Sequence, residues 1–290
     1  MIFNLGSINI DGFYQLNSLP GPGETVAAHS FMRHLGGKGI NQSIAAHLAG
    51  GSVHHIGAVG GDGDWVIEQI KGFGLNTSGI ETREGATGHA VVAVDGAAEN
   101  QIIIFGGTNQ TIAHDWIASE LVSIRPGDFA LCQNETNLTI EFAALVSAAG
   151  AKLVLSAAPF DADQVTALRD HVHLLAVNES EAAALSEVYG AAPSAMGFPI
   201  VVVTEGSKGA SVYVDGQTHS QDAFDVDPVD TTGAGDTFLG SFVARLDLGD
   251  DIPTALQYAS AASAIQVTRP GAAAAIPSQA EVAAFLKEHT

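Results

Sequence analysis

Short apolar runs alternate with stretches of helical period along almost the whole chain, and this alternation limits the fold more than any other feature. Strand candidates are Ile2 to Ile8, Val53 to Val59, Ala90 to Val94, Ile102 to Phe105, Phe129 to Gln133, Leu153 to Ser156, Leu174 to Val177, Ile200 to Thr204 and Ala210 to Val214. Helix candidates are Gly39 to Leu48, Trp65 to Phe73, Ile140 to Ala149, Glu179 to Tyr189, Asp236 to Asp247, Ile252 to Val267 and Gln279 to His289. The pattern predicts an α/β fold, with a mostly parallel central sheet covered by helices on both faces. Ligands of such sheets bind beyond the carboxyl ends of the strands. Two segments break the rhythm. Residues Asp11 to Gly36 carry Pro20-Gly21-Pro22-Gly23 and no helical period, and Thr87 to Gly107 reads as two strands joined at Asp95-Gly96, a hairpin signal. Together they are expected to form a small β-rich lid within one 1–290 domain.

Composition removes several function classes. With 11 basic and 32 acidic residues the net charge is −21, which argues against nucleic acid or an anionic membrane as partner. The eleven histidines do not fall at metal-ligand spacing. The single cysteine, Cys132, sits in an apolar run, reads as a buried small hydrophobe and fits a reducing compartment. The start of the chain has no signal-peptide pattern and no run reaches membrane-span length, so a soluble cytoplasmic protein is expected.

The chemistry concentrates in Asp230-Thr231-Thr232-Gly233-Ala234-Gly235-Asp236, directly before an apolar helix. Glycines there put unpaired backbone N–H groups and the positive end of a helix dipole beside a ligand, an arrangement that binds anions and phosphate above all. A carboxylate in the same turn would repel phosphate unless it takes a proton from an attacking hydroxyl, which points to phosphoryl transfer. A Gly-Ala-Gly turn before a helix is also often only a tight turn. No Gly-x-x-x-x-Gly-Lys-Ser/Thr loop occurs, and the dinucleotide glycine fingerprint is missing, which excludes those two nucleotide motifs. A second glycine-rich turn, Gly36-Gly37-Lys38-Gly39-Ile40-Asn41-Gln42, opens another apolar helix, with Lys38 and Asn41 supplying donors suited to hydroxyls.

These two motifs, in this order and with lid segments among the strands, resemble the ribokinase-like (PfkB) family of carbohydrate kinases from Ser7 to about Pro277. The resemblance implies an ATP-dependent sugar kinase with Asp236 as catalytic base and the amides of Gly233, Ala234, Gly235 and Asp236 as anion hole. It implies that Asn178 and Glu181, in Asn178-Glu179-Ser180-Glu181, place Mg²⁺ near the phosphates. Thr204, Gly206, Ser207 and Gly209 match the family's nucleotide-binding turn, Gly235 also serves the nucleotide, and Ser260 falls near the adenine. Asp230, Thr232, Arg269 and Gly271 fall where the family holds a monovalent cation such as K⁺. Asn9, Asp11, Gly37, Lys38, Asn41 and Glu135 match sugar contacts, and Pro22-Gly23-Glu24-Thr25-Val26 matches the lid. The likeness is strongest to the branch acting on free ribose; nucleoside, ketohexose and sugar-phosphate kinases of the family, or a non-catalytic sensor on the same fold, remain the alternatives.

Asp11 and Glu135 accept but cannot donate when ionised, as suits sugar hydroxyls rather than a sugar phosphate; read without the family, each could equally be a solvated loop carboxylate. Arg33 and Lys38 are the only cations near the expected sugar site. The chain departs from the family pattern at Ser156-Ala157-Ala158-Pro159 (Asn-Pro-Ala-Pro in the family), at Ser260 (often Asn or His), and at Ala275, where a polar residue is usual. Ala90 to Val94 and Ile102 to Phe105 are apolar enough to need cover, so a homodimer through the lid is expected.

Overall fold

The structure, a computed structural model, describes residues 1–97 and 99–289. Its strands are β1 (Ile2–Leu5), β2 (Asn9–Gln15), β3 (Ser30–Gly36), β4 (Val53–Val59), β5 (Ile80–Thr82), β6 (Gly88–Val94), β7 (Asn100–Phe105), β8 (Phe129–Gln133), β9 (Lys152–Ser156), β10 (Val172–Asn178), β11 (Ile200–Thr204), β12 (Ala210–Val214) and β13 (Gln217–Gln221). Its α-helices are α1 (Lys38–Leu48), α2 (Asp64–Gly72), α3 (His114–Glu120), α4 (Thr139–Ala148), α5 (Ala162–Leu168), α6 (Glu179–Tyr189), α7 (Ala234–Asp247), α8 (Ile252–Val267) and α9 (Gln279–His289).

Nine strands form the central sheet in the order β13-β12-β11-β10-β9-β8-β1-β4-β5. All neighbours from β11 to β5 run parallel, and β12 and β13 close one side antiparallel. The run Phe129-Ala130-Leu131-Cys132 explains why uninterrupted apolar sequence is needed. Ala130 and Cys132 join Phe142, Val165 and Leu185 in a core under α4 to α6, while Phe129 and Leu131 join Phe238, Phe242 and Val282 under α7 and α9. Both faces of a parallel strand are dry, so period-2 polarity disappears. Cys132 is fully buried in the first of these cores, as its apolar run predicts.

The apolar run Ile2 to Ile8 does not continue as one strand. The chain leaves the central sheet after Leu5 and enters a second sheet, β3-β2-β6-β7. The physical reason is close packing, because a Cβ on Gly39 would lie 2.2 Å from the Cα of Gly6, so α1 presses its first turn against the end of β1. Within the second sheet β2 pairs parallel with β6, and the outer pairs β2–β3 and β6–β7 are antiparallel. The Asp95-Gly96 hairpin is present, with Asp95 Oδ1 accepting from the N–H groups of Ala97 and Glu99. Ala98, in the expected lid segment, and Thr290, at the end of the expected domain, lie outside the described residues. No described helix is long and apolar enough to cross a membrane.

Candidate active site

The carboxyl ends of β9, β10 and β11 and the starts of α1 and α7 converge on one groove. One part, about 200 Å³, is lined by Lys38, Ser156, Asn178, Glu181, Thr204 and the Gly233–Asp236 turn. The other part, about 470 Å³, is lined by Thr204, Gly206, Ser207, Gly209, Phe224, Val226, Ser260 and Val267. The two share Thr204, Thr231, Ala234, Gly235 and Phe238, so they are continuous. Lys38 is the only cation among the described lining residues.

Gly233 starts α7 with φ 76°, a left-handed conformation that a side chain resists. The Ala234 N–H donates to Thr231 O at 3.2 Å. This amide, expected in the anion hole, is therefore already engaged in its own turn. Gly235 and Asp236 keep first-turn N–H groups without a partner among the described residues, as the start of a helix must unless something caps it.

Asp236 is 9% exposed. Its Oδ1 accepts from Gln42 Nε2 at 3.0 Å and its Oδ2 from Asn41 Nδ2 at 3.2 Å. Burial pushes its pKa up; Lys38 and the Gln42 and Asn41 bonds pull it back, Glu135 pushes the same way as burial, and the net result is a raised value. Lys38 is itself buried, which opposes its charge, but Asp236, Glu135 and Glu181 outweigh that cost and hold its pKa above the ordinary value. Behind Gln42 a polar chain runs through the core. Gln133 Nε2 donates to both Gln42 Oε1 (2.8 Å) and Asn4 Oδ1 (3.0 Å), and Asn4 Nδ2 donates to Gly39 O (2.8 Å) and Ser43 Oγ (2.9 Å). The Gly39 carbonyl can only accept, so it fixes the direction of every amide back to Asp236.

On the sugar side expected from sequence, Glu135 turns out to have a structural duty. Its Oε2 accepts from the Ser7 hydroxyl and from Lys38 N–H at 3.1 Å, so it caps the first turn of α1. Asp11 lies over Gly36, where a Cβ would sit 1.8 Å from its Oδ2. Burial first, then the Glu135 charge, raises its pKa to about 6. Asn9 Oδ1 accepts from Asn109 Nδ2 at 2.8 Å. Gly37 has φ 102° at the start of α1. Asn41 spends its amide on Asp236, and its Oδ1 is buried without a partner. The guanidinium of Arg33 stacks over Trp65, with 5.2 Å to the ring centroid.

On the nucleotide side expected from sequence, Asn178 and Glu181 form a capping box at the start of α6, and Ser260 Oγ is buried without a partner. Asp230 Oδ1 accepts from Thr232 N–H (2.9 Å) and Oδ2 from Gly271 N–H (2.8 Å), while the Arg269 side chain pairs with Glu281 at 2.7 Å. Sequence reasoning assigned no role to Asn4, Gln42, Asn109, Gln133 or Gln266. All five are polar residues that the fold buries, and the sequence alone gives little sign of it.

The sequence matches the family described as pfkB family carbohydrate kinase over residues 1–279. It is similar to a ribokinase of Haemophilus influenzae, at 33% identity over 98% of this chain and 97% of the relative. Its fold is similar to a ribokinase crystal structure from Thermotoga maritima, with TM-score 0.89, 31% identity and 99% of both chains covered. It is also similar to an Arabidopsis thaliana ribokinase complexed with ribose and ATP, with TM-score 0.85, 27% identity, and 99% of this chain and 98% of that one covered.

Proposed function

The chain belongs to the pfkB family of carbohydrate kinases, and from that premise we propose that it is an ATP-dependent ribokinase, converting D-ribose and ATP to ribose 5-phosphate and ADP. The observation that carries the reading is the buried Asp236 carboxylate, oriented by two amides at the start of α7, beside a groove with one lysine. Asp236 takes the proton of the primary hydroxyl as its oxygen attacks the γ-phosphorus. The free amides of Gly235 and Asp236, with Lys38, face the charge that spreads over the transferring group. The nucleotide base and ribose occupy the larger part of the groove, along Thr204 to Gly209 and past Ser260. The four-stranded sheet, built from the segments 11–36 and 87–107, is the lid of this single kinase domain, and it excludes water that would hydrolyse ATP.

One lysine and a helix N-terminus bring little positive charge to a triphosphate, so the groove suits ATP as its Mg²⁺ complex. Mg²⁺ keeps several waters and takes one or two carboxylates together with substrate phosphates. Glu181 fits that demand, since only its Oε2 is used in the capping bond to Asn178 N–H. When bound, the ion neutralises phosphate charge. The fully buried Cys132, its thiol pushed up to about 12 by burial, is inert and fits a reducing, cytoplasmic setting.

The acceptor is a free sugar. Asp11 and Glu135 would repel a dianionic sugar phosphate, and Arg33 is held by Trp65. A sugar lacking one hydroxyl leaves a buried acceptor unpaired at about 1–3 kcal/mol, so ribose is expected to exceed 2-deoxyribose roughly tenfold in kcat/KM. The best acceptor in a coupled assay over pentoses, nucleosides, ketohexoses and sugar phosphates decides the substrate; a phosphorylated sugar in first place removes ribose. Asp11 adds a pH signature. Its raised pKa, about 6, means that the ionised acceptor is present above that pH and lost as pH falls through it. The KM for ribose is therefore expected to rise about tenfold per unit below that point, while that for ATP does not follow. Asp11→Asn should abolish the step, and a flat ribose profile in the wild type would disprove the contact.

Both edge strands of the lid sheet expose apolar side chains. Ile102 to Phe105 of β7 and Phe31 and Met32 of β3 are all more than half exposed or close to it. Consecutive residues of β7 point to opposite faces, so neither face is covered within the chain. We place a second copy of the chain against β7. Sedimentation velocity at micromolar concentration is expected to report a dimer for the wild type and a monomer for Ile103→Lys; a monomeric wild type refutes the interface.

A further inference from the structure

Gln266, near the end of α8, is fully buried, and its amide bonds to the two loops behind the anion-binding turn and to the first turn of α7. Its Nε2 donates to Thr232 O at 2.9 Å and to Ala272 O at 3.2 Å, and its Oε1 accepts from the Thr237 hydroxyl. Both amide hydrogens are thus in use, and rotating the amide would set its oxygen against two carbonyl oxygens, so the orientation is fixed. The amide also packs directly behind Gly233, where a Cβ would lie 3.1 Å from Nε2 and 3.1 Å from Ala272 Cβ. On the other side of the same loops, the Asp230 carboxylate takes the N–H groups of Thr232 and Gly271.

A monovalent cation, expected from the family resemblance around Asp230, Thr232, Arg269 and Gly271, would do its work by gathering backbone carbonyls of these loops around one positive charge. Part of the donor set here is already engaged. Thr232 O and Ala272 O already receive an N–H each, both Asp230 oxygens receive one, and the loop after Gly271 runs Ala272-Ala273-Ala274-Ala275 without a side-chain oxygen. An amide NH₂ with two fixed hydrogens joins two carbonyls as a cation would, without a counterion.

We infer that Gln266 ties the Thr232 and Ala272 loops in place of a monovalent cation, so that the anion-binding turn is ordered and the enzyme active without K⁺. The inference rests on the kinase reading for its rate consequence but not for the tie itself. Gln266 is a positioning residue, acting through Gly233 and the amides that follow it. The test compares turnover and thermal melting at constant ionic strength in potassium, sodium and tetramethylammonium chloride. Wild-type turnover and melting temperature are expected to agree across the three salts, with rates within about twofold. Gln266→Ala leaves two carbonyls converging on a gap. In tetramethylammonium it should lose at least about tenfold in kcat, as displacement of transition-state donors does, and it should gain both rate and melting temperature when potassium is supplied. A wild type activated tenfold or more by potassium overturns the inference, as does a Gln266→Ala variant with wild-type rate in tetramethylammonium. Because the wild-type salt series alone can overturn it, an unstable variant does not protect it. Melting reads the tie without turnover, so a wild type inactive in every salt would count against the kinase reading while the melting series still decides the role of Gln266.

Discussion

Asp236→Asn is expected to lower kcat by about 10²–10⁴ while ATP binding and folding stay near those of the wild type, because it removes the proton acceptor and little else. The surroundings explain why so little else changes. The new side chain keeps one oxygen and gains one NH₂. Gln42 cannot turn to meet that NH₂, since Gln133 holds its Oε1. Asn41 can, because its Oδ1 is buried with no partner and gives up no bond by swapping places with its Nδ2. The asparagine oxygen then faces Gln42 and its NH₂ faces Asn41 Oδ1, and the Asn41 NH₂ takes the partnerless place its oxygen held, so the number of unpaired buried groups does not rise. Rate loss without loss of structure is thus the specific expectation. Single-turnover kinetics, nucleotide titration calorimetry and thermal melting measured on the same preparation check it. Turnover within a few-fold of wild type takes Asp236 out of the chemistry, and a collapse of nucleotide affinity would mean that its role is to shape the groove.

The parts of this fold that were legible in the sequence are those with a clear apolar pattern bounded by polar or turn residues. β4, β8, β11 and β12, and α6, α8 and α9, begin and end where their apolar pattern does. The elements that sequence did not reveal have weak patterns for identifiable reasons. β13 carries Gln217-Thr218-His219-Ser220-Gln221, a polar edge strand held by pairing with β12 rather than by burial. β5 has three residues, and α3 and α5 have seven each, too few to express a helical period. β2 and β3 are only partly buried because they form the lid, so their alternation has no dry face to serve. The lid segments were visible instead by the failure of periodicity combined with the hairpin turn.

The site was legible to the extent that backbone chemistry announces itself in glycines. Gly233-Ala234-Gly235 and Gly36-Gly37-Lys38-Gly39 locate the two helix starts, and the fold brings Lys38, Asn41 and Asp236 together from them. What the motifs conceal is how single residues divide their bonds. Glu135 caps α1 as well as standing near Asp11, and Ala234 closes its own turn. The glutamines were harder still. A Gln at the end of an apolar strand, or inside a buried helix, looks like an ordinary surface position until the strand and helix are packed. Only then do Gln133 and Gln42 prove to share one hydrogen-bonded chain.

That chain carries the second large effect. Gln42→Leu keeps the volume of the side chain roughly but cannot donate to Asp236 Oδ1. Each N–H given to an ionised carboxylate favours the charged form, so its loss raises the carboxyl pKa. Burial already holds Asp236 above the ordinary aspartate range, with Lys38, Gln42 and Asn41 opposing burial, and Glu135 reinforcing it. Removal of the Gln42 bond therefore moves the acid limb of kcat/KM to higher pH, and a smaller fraction of the enzyme is ionised at any given pH on that limb. It also frees the carboxylate to rotate, and misplacing a reacting group by about 1 Å costs on the order of 10² in rate. Gln133→Leu leaves the donor in place but releases Gln42 Oε1, so its effect has the same sign and is smaller. The double variant should cost little more than Gln42→Leu alone, because both changes break one chain. A purely structural role would depress the rate equally at all pH and leave the limb where it was. Full pH–rate profiles of the two single variants and the double variant separate these outcomes. An acid limb unmoved in Gln42→Leu, with the rate scaled down uniformly, would show that the amide chain supports the fold and does not tune the base.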